Sequence, residues 1–169
     1  MNPVEIAFFD RGPIDEEELI TGGYWSTYWY NGHIYATEIS RGLDVLAMQP
    51  SDYLTENELA AASLPELNGI VNAQTQQIVE WPAVPVVARA YDQLQRESNI
   101  EPRQASELTD ALDRAQTLLN GGSGNRRSTA RDLNNLAGDF SDAATGYNGM
   151  AGVRYAALAE TLEGIADSL

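Results

Sequence analysis

The stretch "YWYNGHIYATEISRGLDVLAM" (28–48) holds three apolar runs separated by two turn signals. Asn31-Gly32 lies between aromatic and β-branched runs. A two-residue type I′ turn needs φ > 0 at both central positions, and Asn-Gly meets that need best. The spacing therefore predicts a hairpin of residues 23–30 against 33–39. "SRG" (40–42) turns the chain again into a third strand over 43–48. Side chains alternate along a strand. That alternation sets Tyr24, Ser26 and Tyr28 on one side and Trp25, Thr27 and Trp29 on the other. In the second strand Ile34, Ala36 and Glu38 oppose His33, Tyr35, Thr37 and Ile39. Large groups on both sides predict a sheet covered on both faces.

Upstream, "VEIAFF" (4–9) reads as a short strand broken by "DRGP". "IDEEELI" (14–20) reads as a turn of helix or a polar loop. Pro13 stands before its start, and Asp15 to Glu18 lie where the positive end of a helix dipole favours acids. Downstream, Thr55 with Glu58 three residues on is a capping-box pattern for a short helix. "LPELNGIVNAQTQQIVEWPA" (64–83) is a polar connection with at most a short strand at 78–81.

From residue 84 the apolar period becomes helical. Val86, Val87, Ala90, Tyr91 and Leu94 mark a first helix; Ile100 and Pro102 fall in a break. Leu108, Ala111, Leu112, Ala115, Leu118 and Leu119 stripe a second, ended by "NGGSGN" (120–125). A third, with Ser128 as its cap, buries Leu133, Leu136, Ala137 and Phe140. After "TGYNGMAG" (145–152) a fourth carries Val153, Ala157, Leu158, Leu162, Ile165 and Leu169. The expected organisation is α+β: an N-terminal antiparallel meander with a short helix (1–63), a linker (64–83) and a C-terminal four-helix up-down bundle (84–169).

Composition narrows the functions. The 169 residues carry 25 acidic groups against ten basic ones, a net charge of −15, and all ten basic residues are Arg. Such a surface repels nucleic acid and anionic lipid. No cysteine is present. That removes disulfides, Cys-ligated zinc, iron–sulfur clusters and thiol catalysis. The opening "MNPVEIAFFD" shows no signal-peptide pattern. No apolar run approaches the ~18 residues that span a bilayer.

Candidate chemistry is sparse. His33 is the single histidine and follows the hairpin turn; no nucleophile-elbow sequence accompanies it. Glu38 and Asp44 flank the "ISRG" turn. Paired carboxylates hydrolyse glycosides at separations of about 5–10 Å, and the competing role for these two is pairing with Arg41. Asp10, Asp15 and Glu16 are the acids that could share a calcium ion, though the twelve-residue EF-hand pattern is absent. "NGGSGN" lacks the Lys-Ser/Thr of a phosphate loop. The richest feature is aromatic: Tyr24, Trp25, Tyr28, Trp29, Tyr30 and Tyr35. Buried, they are core; exposed, they form a contact surface for protein or carbohydrate. No catalytic residue, metal site or cofactor is expected.

Residues 4–60 resemble a repeat of the LVIVD family through Asn31-Gly32, "IYAT" (34–37), Gly42-Leu43-Asp44-Val45 and Pro50. Ala47 stands where that family carries Asp. The resemblance implies one blade of a β-propeller. Residues 84–169 resemble a FIMAH domain, a helical module at the ends of bacterial extracellular proteins. The likeness runs through "PVVARAYDQLQRESNI", "LTDALDRAQTLLNGG", "DLNNLAGDFSDAATG" and "YAALAETLEGIADSL". Together these imply the terminal part of a secreted or cell-surface repeat protein. The expected function is a non-enzymatic interaction or structural module. Its aromatic meander meets a protein partner, neighbouring blades or a second copy. The alternative is a hydrolase-type enzyme built on Glu38, Asp44 or His33.

Overall fold

Asn31 (φ 45°) and Gly32 (φ 81°) both adopt the left-handed conformation. The turn they form joins β1 (Tyr24–Tyr30) to β2 (His33–Glu38), with Tyr30 opposite His33. Glu38 then lies opposite Gly42, which opens β3 (Gly42–Leu46) at φ 89°. A side chain at Gly42 would be strained in that conformation. The sheet order is β1-β2-β3, antiparallel throughout.

The computed structural model describes residues 5–65, 80–97 and 99–169. The protein is α+β, a three-stranded antiparallel sheet followed by helices. It divides into two compact units, Met1–Glu80 and Trp81–Leu169. Residues 66–79 of the expected linker, Val4 of the first expected strand, and Ile78 and Val79 of the strand expected at 78–81 lie outside the described residues. Glu80 and Trp81 are not in a strand.

One expectation for the first 20 residues fails: residues 5–9 form no strand, while 14–20 take the polar-loop alternative, as bends. The Asp15 carboxylate accepts the N–H groups of Glu17 and Glu18 at 2.8 Å. These two bonds close a local turn at Asp15 that no helix continues. The segment instead lies over one face of the sheet. Arg11 reaches Asp44 at 3.0 Å, Ser40 Oγ donates to Thr21 O at 2.7 Å, and Ile39 N donates to Gly23 O at 3.0 Å. Ile14 packs at Gly22 beside the Glu38 carboxylate. Downstream, α1 (Glu56–Ala62) starts in a full capping box. Thr55 Oγ1 accepts from Glu58 N at 3.2 Å, and Thr55 N donates to Glu58 Oε2 at 2.8 Å.

In the second unit the expected first helix is three short pieces: α2 (Pro85–Ala88), a 3₁₀ turn (Arg89–Tyr91) and α3 (Asp92–Arg96). Pro85, Ala88 and Leu94 are its buried residues, with Tyr91 packed against the core. That spacing of three matches 3₁₀ winding better than a continuous α-helix. Three long helices follow: α4 (Pro102–Leu119), α5 (Arg126–Gly146) and α6 (Met150–Asp167). Leu108, Leu112, Leu133, Phe140, Leu162 and Ile165 form the sealed centre. Phe140 meets Tyr155 at 5.7 Å, and Tyr155 stacks on Tyr147 at 5.3 Å. Both tyrosine hydroxyls donate to the Asn99 carbonyl, holding Asn99 against the helical unit. Asn125, not Ser128, caps α5: its side-chain oxygen accepts from Ser128 N at 3.0 Å. In α6 the buried set is Tyr155, Leu158, Ala159, Leu162, Ile165 and Ala166. Leu158, Leu162 and Ile165 of the expected stripe are buried and Leu169 packs against the core, whereas Val153 and Ala157 are exposed.

Candidate functional site

The hydrogen-bond register reassigns the aromatic side chains. Tyr24 lies opposite Glu38 while Ser26 lies opposite Thr37, so Trp25 is an extra residue, a β-bulge. Directly opposed residues share a face. One face therefore holds Tyr24, Thr27, Trp29, Ile34, Ala36, Glu38, Asp44 and Leu46. The other holds Ser26, Tyr28, Tyr30, His33, Tyr35, Thr37, Leu43 and Val45. The bulge moves Tyr24 away from Tyr28, where plain alternation would put it.

The first face is covered in part: the 10–23 segment meets it around Glu38 and Asp44, while Tyr24 and Trp29 are 39% and 42% exposed. Ala36 is fully buried and Glu38 is 5% exposed. The Glu38 carboxylate accepts from Gly23 N at 2.8 Å, Ser40 N at 2.9 Å and Arg41 N. Those bonds, Gly23 first, hold its pKa below the ordinary 4.5 against the opposing effect of burial. Asp44 accepts from Tyr24 Oη at 2.6 Å and from Arg11 at 3.0 and 3.1 Å. The Tyr24 hydroxyl leads in lowering the Asp44 pKa, and Asp44 in turn raises that of Tyr24. The two candidate acid–base groups thus have their lone pairs taken by turn amides, a phenol and a guanidinium. Arg41 lies 3.7 Å from Glu38 and donates to Gly12 O at 3.3 Å. His33 Nδ1 sits 3.2 Å from the Asn31 carbonyl, inside its own turn.

The second face is exposed in the single chain, where the sequence reading expects a cover. Tyr28 is 47% exposed, Leu43 58% and Val45 52%, and the bulged Trp25 is 77% exposed. Tyr30 and Tyr35 meet edge to face at 6.0 Å on this side. The 10–23 segment makes its contacts on the carboxylate-bearing side, through Arg11 to Asp44, Gly12 O to Arg41 and Thr21 O to Ser40. Of the six aromatics singled out by sequence, the structure brings Tyr28, Tyr30 and Tyr35 together. It sends Tyr24 and Trp29 to the opposite face and leaves Trp25 at the bulge. Leu43 and Val45 belong to the open face and were missed; their alternation with Asp44 in "GLDVL" was the available signal.

This face carries no charged side chain among its strand residues. Leu19 to Thr37 hold no Asp, Glu, Lys or Arg at all. The unit around them is strongly acidic: the first 80 residues contain 13 carboxylates and two arginines, Arg11 and Arg41, both engaged as described.

Other polar clusters build less. Asp10 Oδ1 accepts from Gly12 N at 2.7 Å and Asp15 serves its own turn, so these acids are used locally. Among the described residues no group of three or more His, Asp or Glu is placed to hold a metal ion. A cavity of about 300 Å³ between α4 and α5 is lined by Glu107, Asp110, Asp132 and Asp139, with Arg114 paired to Asp132 at 3.1 Å. No described helix is long and apolar enough to cross a membrane. No family model, curated protein or solved structure matches this chain.

Proposed function

We propose that the N-terminal unit is a non-enzymatic docking module whose open sheet face takes a protein partner that is apolar at its centre and basic at its rim. The observation that carries this reading is an uncharged aromatic face on an otherwise acidic unit. Interface centres exclude charge and favour Tyr and Trp, while the surrounding field selects the sign of the partner's rim. An excess of carboxylates disfavours a second copy on the same face, since like charges oppose across an interface. Neighbouring blades of a secreted or cell-surface propeller protein are the other occupant of such a face, and they bring no requirement for basic residues. The helical unit, read as a four-helix up-down bundle with residues 85–96 as its first member, serves as the soluble acidic companion.

The hydrolase alternative needs Glu38 or Asp44 to exchange protons with a substrate. Both are committed to hydrogen bonds that favour the ionised form, the opposite of a general acid's requirement.

Fluorescence titration of the full chain tests the proposal with a panel of short basic, acidic and neutral amphipathic peptides. Basic peptides are expected to bind, with tryptophan emission changing and affinity falling as salt rises. Equal binding of acidic peptides overturns it, as does turnover of a glycoside panel that vanishes in Glu38→Gln.

A further inference from the structure

Sheet edges are normally defended by charge, proline, bulges or a covering element, because their unpaired backbone groups template another strand. Here β3 carries Asp44, tied to Arg11 across the sheet. The opposite edge, β1, has neither a charged residue nor a proline over its seven residues, and its bulge lies at its start, between Tyr24 and Ser26. Among the described elements β2 is its one substantial neighbour.

The register identifies the free backbone groups. Antiparallel pairs alternate between those that exchange hydrogen bonds and those that do not. The pair closing the two-residue turn, Tyr30 with His33, exchanges them; so do Tyr28 with Tyr35 and Ser26 with Thr37. Thr27 and Trp29, opposite Ala36 and Ile34, turn their N–H and C=O groups outward. No backbone hydrogen bond beyond the hairpin reaches either residue among the described ones. An outward ladder starting at Thr27 and Trp29 is flanked by Trp25 and by Tyr28 of the open face.

We infer that β1 accepts an added strand from an extended segment of a basic partner protein, so that docking proceeds by main-chain pairing at this edge as well as by contact with the open face. The inference rests on the docking reading above and adds the mode of binding. Main-chain pairing supplies affinity, and alternate side chains supply specificity. Charge complementarity names the occupant. The unit's carboxylates far outnumber its two engaged arginines. An extended segment with arginine or lysine on alternate positions meets that field, whereas a second β1 edge would bring the same negative charge with it.

The test uses the full chain, isotope-labelled, with a blocked seven-residue peptide of alternating valine and arginine. Amide hydrogen exchange is followed by NMR. Binding is expected to slow exchange at Thr27 and Trp29 by about tenfold or more, the order that a newly formed pair of ladder bonds implies. The same peptide N-methylated on alternate residues should lose that protection. Thr27→Pro removes one outward N–H at an edge position where proline is tolerated, and should weaken binding about tenfold; Thr27→Val keeps the backbone and should not. Peptide binding that perturbs Tyr28, Tyr35 and Val45 with unprotected β1 amides, or equal binding of the N-methylated peptide, overturns edge addition while leaving the docking face intact. Binding at neither place overturns both. Protection of Thr27 and Trp29 that grows with protein concentration alone assigns the edge to a second copy and overturns the basic partner.

Discussion

Trp25→Ala separates a docking residue from a core residue by magnitude. Trp25 is 77% exposed. About a quarter of a side chain offering ~250 Å² is then hidden, which is ~60 Å² and ~1.5 kcal/mol at ~25 cal/mol per Å². Extended-chain areas overstate burial by roughly 10–40%, so the expected loss of stability is ~0.9–1.4 kcal/mol. A tryptophan at the centre of a contact surface costs ~2–4 kcal/mol of binding when truncated, which is ~30-fold or more in affinity. The assays are urea unfolding followed by fluorescence of the remaining tryptophans, and titration with the valine–arginine peptide. The expected outcome is a small change in the first and a large one in the second. A stability loss near the ~3–5 kcal/mol typical of a buried aromatic would show that Trp25 is core. Unchanged stability together with unchanged peptide binding would remove it from the docking surface.

Three further outcomes follow from other parts of the structure. Phe140→Ala empties a fully buried site beside Tyr155; far-UV circular dichroism should show the helical unit losing ~3–5 kcal/mol, and a loss under ~1 kcal/mol refutes the packing described. Gly32→Ala places a Cβ in a left-handed turn 3.0 Å from Ser63 Oγ and should destabilise the sheet unit by ~1–2 kcal/mol, whereas Asn31→Gly should be tolerated. Glu38 is held below its ordinary pKa of 4.5, so its stabilising contribution is in place above that value and is lost as pH falls through the depressed one. Acid also relieves the chain's self-repulsion, which acts in the opposite direction, so the comparison is with Glu38→Gln. The gap in melting temperature between the two should be widest near neutral pH and close below about pH 4.5; a gap constant with pH contradicts the three-amide cradle.

The sequence made the hairpin legible because turn chemistry is local. Asn31-Gly32 admits few other conformations, and Thr55 with Glu58 caps α1 by the same short-range logic. The buried stripes of α4 and α5 were legible because a 3.6-residue period survives averaging over several turns. The errors lie where one residue changes the phase. The Trp25 bulge sends Tyr24 to the opposite face, and the start of α6 buries Tyr155 in place of the expected Val153, the later positions Leu158, Leu162 and Ile165 being buried as expected. No composition rule marks a bulge that aromatic residues of similar β-propensity can occupy equally well. The cover over Glu38 was illegible for a different reason. It depends on the 10–23 segment folding back through the contacts of Arg11 with Asp44 and Ser40 with Thr21, pairs 33 and 19 residues apart.

The open face and the acidity of the chain have a common physical basis. Several large apolar groups side by side on one sheet normally drive self-association. Net charge well away from zero opposes it, because each approach of two copies brings like fields together. Placing both strand carboxylates, Glu38 and Asp44, on the other side leaves the open face with no strand charge to be stripped of water on contact. The rest of the unit keeps its negative field and rejects partners of the same sign. Specificity is a difference of affinities, and under the proposed docking function it comes from repulsion outside the patch rather than from charged contacts within it. Raising salt should therefore act in two directions at once: it weakens capture of a basic peptide and strengthens association between copies. A protein whose open face served only to complete its own core would show neither response.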